Sequence, residues 1–582
     1  MQLHNTHKPE GNSQNVNNDS ARLVIEDALK RVESGDVVAV WESSVIDALK
    51  QVRGTFENEY CAYEQRFKAG FKTHGVTGLQ KLNKLTKVYK QSGTDDDANN
   101  QRKELKLAEL AKQKAEFFAD SDGECWMRCK VANTADEQGV SDGYHLETYK
   151  IKSDAFRDWC EINYFLEYAD GVGDSAMKNT IDMLRPFAKH LGEQHEVYLR
   201  YAFFEGAVYI DMVDDKWRVI KVDASGWETL SSDDSPVRFT REDHMRALPE
   251  PSRDGDLNLL WEALPVTNED DRRMLIVYII NTMLVDSDYL MLELGGVAGA
   301  VKSGTQVVLR SILDPSTASL IDYSGKLDDV PVMAKKSYIV GFENMSYLSK
   351  QLQNRFCRML TGGTMATRDL HTTDNLKVWS IKTPIVINGI EELVTEPDLM
   401  QRTFSLEMPV SEIWKSKKLI IKKWEKLRPR VLGGLYDLLA RTLAERERST
   451  ITESKETRQV DLLIDGQAVF DALGFDEPFE SRIKAMQLKA ALRNVDSCPV
   501  TRAIVDLVDD EKVNISYTMT DLLDRLDNVY RPKCDPKQWV NSVYQLRHVI
   551  KKQTDTLKKL NILISRTRSN GVRKIQFEKL PD

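Results

Sequence analysis

The run YLMLELGGVAGAVKSGTQVVLRSIL, residues 289–313, constrains the fold more than any other stretch of the chain. An apolar segment leads directly into a glycine-rich turn, a Lys-Ser pair and a helical pattern, which is the strand–loop–helix context of a phosphate loop. In such a loop successive backbone N–H groups wrap phosphate oxygens, and the N-terminus of the following helix adds positive potential. Gly296, Gly299, Lys302, Ser303 and Gly304 fit that pattern. The lysine is suited to the β- and γ-phosphates of ATP and the serine hydroxyl to Mg²⁺. Val301 departs from it, standing where a glycine normally lets the backbone approach phosphate without a Cβ. A stiff β-branched side chain there costs about 1–3 kcal/mol to accommodate. That is roughly a ten- to hundredfold loss of affinity.

Two further segments repeat an apolar strand ending in a polar group, and a third places an arginine before a strand. KKSYIVGFENMS ends in Glu343 and Asn344, and a carboxylate at that strand tip is suited to holding Mg²⁺ opposite a phosphate loop. Asn344 can orient a water molecule but cannot accept its proton. IKTPIVINGI ends in Asn388, and EPDLMQRTFSLEMP places Arg402 just before a strand. Arg402 reads either as an arginine reaching a neighbouring subunit's nucleotide or as a surface ion pair. Residues 257–410 alternate strand and helix as a parallel α/β sheet requires.

Between Glu343 and Asn388 lies RMLTGGTMATRDLHTTDNLKVWSIKTP. With DPSTASL after the phosphate loop and TPIVINGIEEL beyond, the order of motifs over 257–410 resembles the superfamily 3 helicases and the poxvirus-type primase-helicases, AAA+-like P-loop NTPases of phages and mobile elements. The resemblance implies a DNA helicase-like ATP hydrolase that assembles as a hexameric ring around DNA during replication. It assigns Thr361, Gly362, Gly363 and Arg368 to the family's additional motif, which carries a pore hairpin that grips DNA; Lys377 near that hairpin is read beside Arg368 as a DNA-facing residue. It also makes Asn388 a sensor of the γ-phosphate, Arg402 a finger, and Asn344 the occupant of a place where many ring ATPases carry a second acid. No primase is expected within the short, helical stretch 1–118, so a primase or other replisome protein would be a separate partner.

The rest of the chain divides by texture. Residues 1–19 are polar and read as a disordered tail, and 20–118 as a helical arm. In the arm, Lys81, Lys84, Lys87 and Lys90 form a spaced basic run, most simply a solvated helix face. Residues 119–256 alternate β-branched and aromatic strands with two amphipathic helices, an α+β module closed by the linker-like ALPEPSRDGD. A helical region covers 411–510. The seven scattered cysteines, the Cys125–Cys129 pair included, read as free thiols of a cytoplasmic protein. No segment is apolar enough for a membrane span.

Residues 511–582 read helix, helix, β-hairpin, the order of a winged helix, with Ser569-Asn570-Gly571 at the hairpin turn. The chain carries a net charge of -9, yet residues 541–580 hold ten basic and two acidic side chains. Arg547, Lys551 and Lys552 on the second helix and Arg566, Arg568 and Arg573 on the hairpin suit single- or double-stranded DNA. A protein-docking module with a solvated basic face is the other reading. The expected fold is thus a multidomain α/β chain in which arm, α+β module, P-loop core, helical region and winged helix follow in order. Its function is either that of a ring-forming ATPase acting on DNA or, given Val301 and Asn344, that of a catalytically impaired structural relative.

Overall fold

The computed structural model describes residues 13–55, 57–74, 82, 86, 96–133, 143–318, 320–323, 325–368, 376–390, 392–410, 417–511, 514–531, 539–569 and 571–580. It divides into two units, one of residues 1–110 with 160–182 and one of residues 111–159 with 183–582. In the first, helices Ser13–Glu33, Ser43–Thr55 and Glu57–Thr73 close on Ile25, Leu29, Val32, Leu49 and Phe67. The first helix therefore begins inside the stretch read as a tail. Lys81, Lys84, Lys87 and Lys90 lie outside the described residues.

The second unit opens with antiparallel strands Ala115–Ala119, Cys125–Ala132 and Tyr144–Lys150. Cys125 and Cys129 are buried in the middle one, and burial pushes the Cys129 thiol up to about 12, away from thiolate chemistry. A four-stranded antiparallel meander follows over residues 201–230.

At the centre of this unit is a five-stranded parallel sheet. Its strands in chain order are β1 (Met291–Gly295), β2 (Ile321–Asp322), β3 (Val340–Met345), β4 (Ile385–Gly389) and β5 (Thr403–Glu407), and they lie side by side as β2-β3-β4-β1-β5. Both faces are covered, as parallel sheets require, so the inner strands β1, β3 and β4 are mostly apolar. Leu292 and Leu294 of β1 meet helices α1 (Glu269–Met283), α2 (Lys302–Leu313) and α4 (Lys417–Arg448). Met291, Phe342 and Ile387 point the other way, onto Leu352, Phe356 and Met359 of α3 (Lys350–Thr361).

The far end of α2 is fixed by charge. Asp314, 2% exposed, takes the Arg200 Nε at 3.2 Å and the Arg310 Nη2 at 3.2 Å, both guanidinium groups being buried. The stretch ALPEPSRDGD is bonded to α4 rather than free. Ser252 N donates to Pro429 O at 2.9 Å and Asp256 N to Arg430 O at 3.0 Å. A Cβ on Gly255 would fall 2.2 Å from Gly434 N, and one on Gly433 would fall 1.8 Å from Ser252 O.

Two helices follow α4, namely α5 (Val460–Leu473) and α6 (Phe479–Asp496). The C-terminal segment then runs α7 (Pro499–Glu511), β6 (Ile515–Tyr517), α8 (Met519–Val529), α9 (Val543–Lys559), β7 (Ile562–Ser569) and β8 (Val572–Lys579). Its antiparallel sheet is ordered β6-β8-β7 and packs on its own core of Ile504, Leu507, Leu522, Leu526, Leu546, Leu557 and Phe577. Thr518 and Ser542 cap α8 and α9 by accepting from Asp521 N and Gln545 N. No helix among the described residues is long and apolar enough to cross a membrane.

Candidate functional site

The strand order brings the polar tips read from sequence to one edge. β1, β3 and β4 run parallel, with Leu294 opposite Asn388 and Phe342 opposite Ile387. The Gly296–Ser303 turn, Glu343 and Asn388 thus share the carboxyl edge of the sheet, where ligands bind in open α/β folds.

The turn is built by its glycines. Gly296 sits at φ 128° and Gly299 at φ 88°, backbone regions that favour glycine. A Cβ on Gly296 would lie 2.8 Å from Met408 O, and one on Gly295 would lie 2.9 Å from Glu407 Oε2. The paired glycines therefore let the end of β5 lie against the turn, and Met408 N donates to Gly295 O at 3.0 Å. Lys302 is buried, and its Nζ donates back to Gly296 O at 2.5 Å and Val297 O at 3.0 Å.

Val301 lies at φ -81° and ψ 36°, so it carries no left-handed strain. Its Cγ1 would be 3.3 Å from a Cβ on Gly304. The methyl thus occupies space that the next glycine leaves open. Ser303 is half-buried at the start of α2.

Asn388 joins the edge together. It is fully buried, its Oδ1 accepts from Asn344 N at 2.9 Å, and its Nδ2 donates to Gln306 Oε1 at 2.6 Å. Gln306 is on α2, one turn beyond Ser303, and its own Nε2 is buried with no hydrogen-bond partner among the described residues. The Glu343–Asn344 tip is irregular: the pairing of β3 with β4 shifts there, and Asn344 adopts φ 52°. A non-glycine residue held in that region is strain of the kind functional sites carry.

Arg402 lies at the other edge. Its carbonyl accepts from Met291 N at 2.8 Å, at the amino end of β1, and its Nη1 donates to Asp398 O at 2.6 Å. The loop after β1 is at the opposite end of that strand, so within one chain Arg402 is remote from Lys302.

Thr361-Gly362-Gly363 ends α3. Gly362 caps the helix at φ 79°, Thr361 Oγ1 donates to Cys357 O at 3.2 Å, and a Cβ on Gly363 would come within 2.8 Å of Arg358 Cβ. Strands Gly363–Arg368 and Leu376–Ile381 then pair as a hairpin, Arg368 opposite Leu376 and Thr367 opposite Lys377. The connecting residues 369–375 and the side chains of Arg368 and Lys377 lie outside the described part of the structure.

In the C-terminal segment, Tyr544, Arg547 and Lys551 are exposed along one side of α9. Register places Arg568 opposite Arg573 and Arg566 opposite Ile575, so the three arginines share the hairpin face that continues into buried Ile575 and Phe577. Like charges directly opposed across strands destabilise a hairpin unless an anion lies between them. Among the described residues, Arg547, Lys551, Arg566, Arg568 and Arg573 enter no ion pair. Lys552 differs from them, pairing with Glu396 at 3.6 Å on the side facing the parallel sheet.

Sequence reading missed Glu293. It is 2% exposed on β1, where its Oε1 accepts from Leu393 N at 2.9 Å and Val394 N at 3.1 Å and its Oε2 from Ser405 Oγ at 2.5 Å and Arg493 Nη1 at 2.8 Å. A single acid within the apolar run YLMLELG was the available signal.

The residues present suit a nucleotide phosphate chain with Mg²⁺. The glycine cradle has no room for a Cβ at Gly296, and a lysine ammonium lies against the turn with the orphaned Gln306 amide nearby. Among the described residues no cluster of three His, Cys, Asp or Glu side chains could hold a metal alone. Ser303 and Glu343 would share the ion with phosphate oxygens, the habit of Mg²⁺.

Residues 259–462 match the family model of the actinomycete integrative conjugative element replication protein, and residues 500–582 match the C-terminal domain model of the same group. A search of curated proteins finds no match. Among solved structures, the chain is similar to "SCCmec type IV Cch - active helicase" at 10% identity and a TM-score of 0.41, over 80% of this chain and 94% of that one. It is also similar to the apo C-terminal region of NrS-1 at 12% identity and a TM-score of 0.35, over 82% of this chain and 100% of that one.

Proposed function

We propose that the chain is a replication protein of a mobile element, with a P-loop core that binds ATP and Mg²⁺ and a C-terminal winged helix that binds DNA. The observation that carries this reading is the Asn388 side chain, which ties Gln306 of the phosphate-loop helix to the Glu343–Asn344 strand tip. The two family-model matches, to element replication proteins, cover the sheet and the C-terminal segment.

Lys302 would release the carbonyls of Gly296 and Val297 and turn its ammonium to the β- and γ-phosphates. Ser303 and Glu343 would hold Mg²⁺, whose charge offsets that developing on the transferred phosphoryl group. Asn388 would give up its bond to Gln306 and present its amide to the γ-phosphate. Arg402, remote from its own phosphate loop, would serve a neighbouring copy in a hexameric ring, with DNA passing the Gly363–Ile381 hairpin.

A second reading rests on Asn344 and Val301. With an amide at the place of a base, the site would bind ATP and turn it over slowly or not at all, and the protein would act through assembly and DNA binding. Titration of a fluorescent ATP analogue with and without Mg²⁺, followed by hydrolysis assays with single-stranded DNA, separates the two. The first reading expects Mg²⁺-dependent binding lost in Lys302→Ala and hydrolysis stimulated by DNA. Binding without hydrolysis, restored to turnover by Asn344→Asp, selects the second. No binding by wild type or by Val301→Gly sinks both.

A further inference from the structure

Two neighbouring residues of α6 face two different sites. Arg493 reaches the sheet, where its Nη1 donates to Glu293 Oε2 at 2.8 Å and to Ser405 Oγ at 2.8 Å and its Nε pairs with Glu392 at 2.8 Å. Glu293 stands three residues before Gly296, on the strand that delivers the phosphate loop. Its other oxygen holds the amides of Leu393 and Val394, in the segment between Asn388 and Arg402. One buried carboxylate therefore fixes β1, β5, that segment and α6 relative to one another.

Asn494, the next residue, reaches α9. It is 4% exposed, and its Nδ2 donates to Gln553 Oε1 at 3.0 Å and Thr556 Oγ1 at 2.9 Å. Gln553 Nε2 donates back to Asn494 Oδ1 at 3.1 Å. Gln553 and Thr556 lie on the side of α9 away from Arg547 and Lys551, as residues spaced by about half a turn must. A second tie runs alongside it, from Lys552 to Glu396 at 3.6 Å.

Resting on the nucleotide and DNA sites proposed above, we infer that α6 is a relay. Duplex DNA bound on the exposed face of α9 changes nucleotide affinity through Asn494, Arg493 and Glu293. The physical reason is satisfaction. Glu293, Asn494, Gln553 and Thr556 are all buried. A shift of α9 therefore cannot be absorbed by solvent without leaving a donor or a carboxylate unpaired. A rigid strut with directional bonds at both ends passes displacement on, whereas an apolar contact would slide. Asn494 is a positioning residue here, since it touches neither ligand.

The test uses the full chain. The dissociation constant of a fluorescent ATP analogue with Mg²⁺ is measured with and without saturating duplex DNA, and that of labelled duplex with and without the nucleotide. Wild type is expected to show a coupling factor of about fivefold or more, equal in both directions by linkage. Asn494→Ala should bring that factor close to one while each separate affinity stays within about twofold of wild type. Equal coupling in wild type and variant overturns the relay, as does a factor of one in a wild type that binds both ligands. Failure of wild type to bind nucleotide overturns the relay together with the function proposed above, and so reads differently from either. If Asn494→Ala does not fold, hydrogen exchange on wild type decides: duplex DNA must alter exchange of the amides in 291–303 and 392–396, and unchanged exchange there rejects the idea.

Discussion

Val301 is the residue that departs from the phosphate-loop pattern. Its methyl is directed over the open side of Gly304 rather than held in a strained backbone. Gly304→Ala should push the valine back toward the phosphates and weaken binding of the ATP analogue roughly tenfold, about 1.4 kcal/mol. In a Val301→Gly background the same alanine should be nearly silent, so the double-mutant cycle gives a coupling energy of about 1 kcal/mol. Additive effects would show that Val301 is not what Gly304 accommodates. The sequence made the loop, Glu343 and Asn388 legible because each ends an apolar run with a polar group. It could not reveal that Asn388 bonds Gln306, or that Glu293 bonds Arg493, since partners about 80 and 200 positions apart leave no local pattern.

Among the elements, the C-terminal hairpin makes the plainest electrostatic statement. Arg566, Arg568 and Arg573 share one face with no carboxylate partner among the described residues, while Lys552 turns toward Glu396. The observed affinity for duplex DNA should fall with salt. Replacing the three arginines by alanine should flatten the slope of log K against log salt by about 0.9 for each phosphate no longer neutralised, close to 3 in all. Lys552→Ala should leave the slope nearly unchanged. Anisotropy titrations across a salt series check both, and an unaltered slope in the triple variant would place the phosphates elsewhere. Alternation and turn chemistry announced this hairpin in the sequence. Which lysine of α9 points outward was not legible, because a helix with charges on several sides has no unique outward direction until its packing is known.

On the scale of the whole molecule, Asp465 of α5 links stability to pH. It is buried against α1 and α4, with Arg446 Nε at 2.8 Å and Asn281 Nδ2 at 3.5 Å, and burial raises its carboxyl from near 3.8 to about 6 despite the arginine. A folded-state value above the unfolded one favours the protonated form in the fold. That contribution is complete below the unfolded value and is lost as pH rises through about 6. Thermal unfolding of wild type and Asp465→Asn should therefore diverge with pH. Between pH 4 and pH 7, wild type should lose up to about 3 kcal/mol relative to the asparagine variant. A difference that does not vary with pH would show that Arg446 keeps the carboxylate ionised.

The glycine seam at Gly255, Gly433 and Gly434 carries a consequence for how the chain can move. Its composition suggests a hinge, yet peptide planes there meet with no side chain between them. A joint of that kind swivels poorly and transmits torque well, so the 252–256 segment should travel with the long helix as a single lever arm. A methyl group introduced at Gly255 or Gly433 must force the other backbone aside.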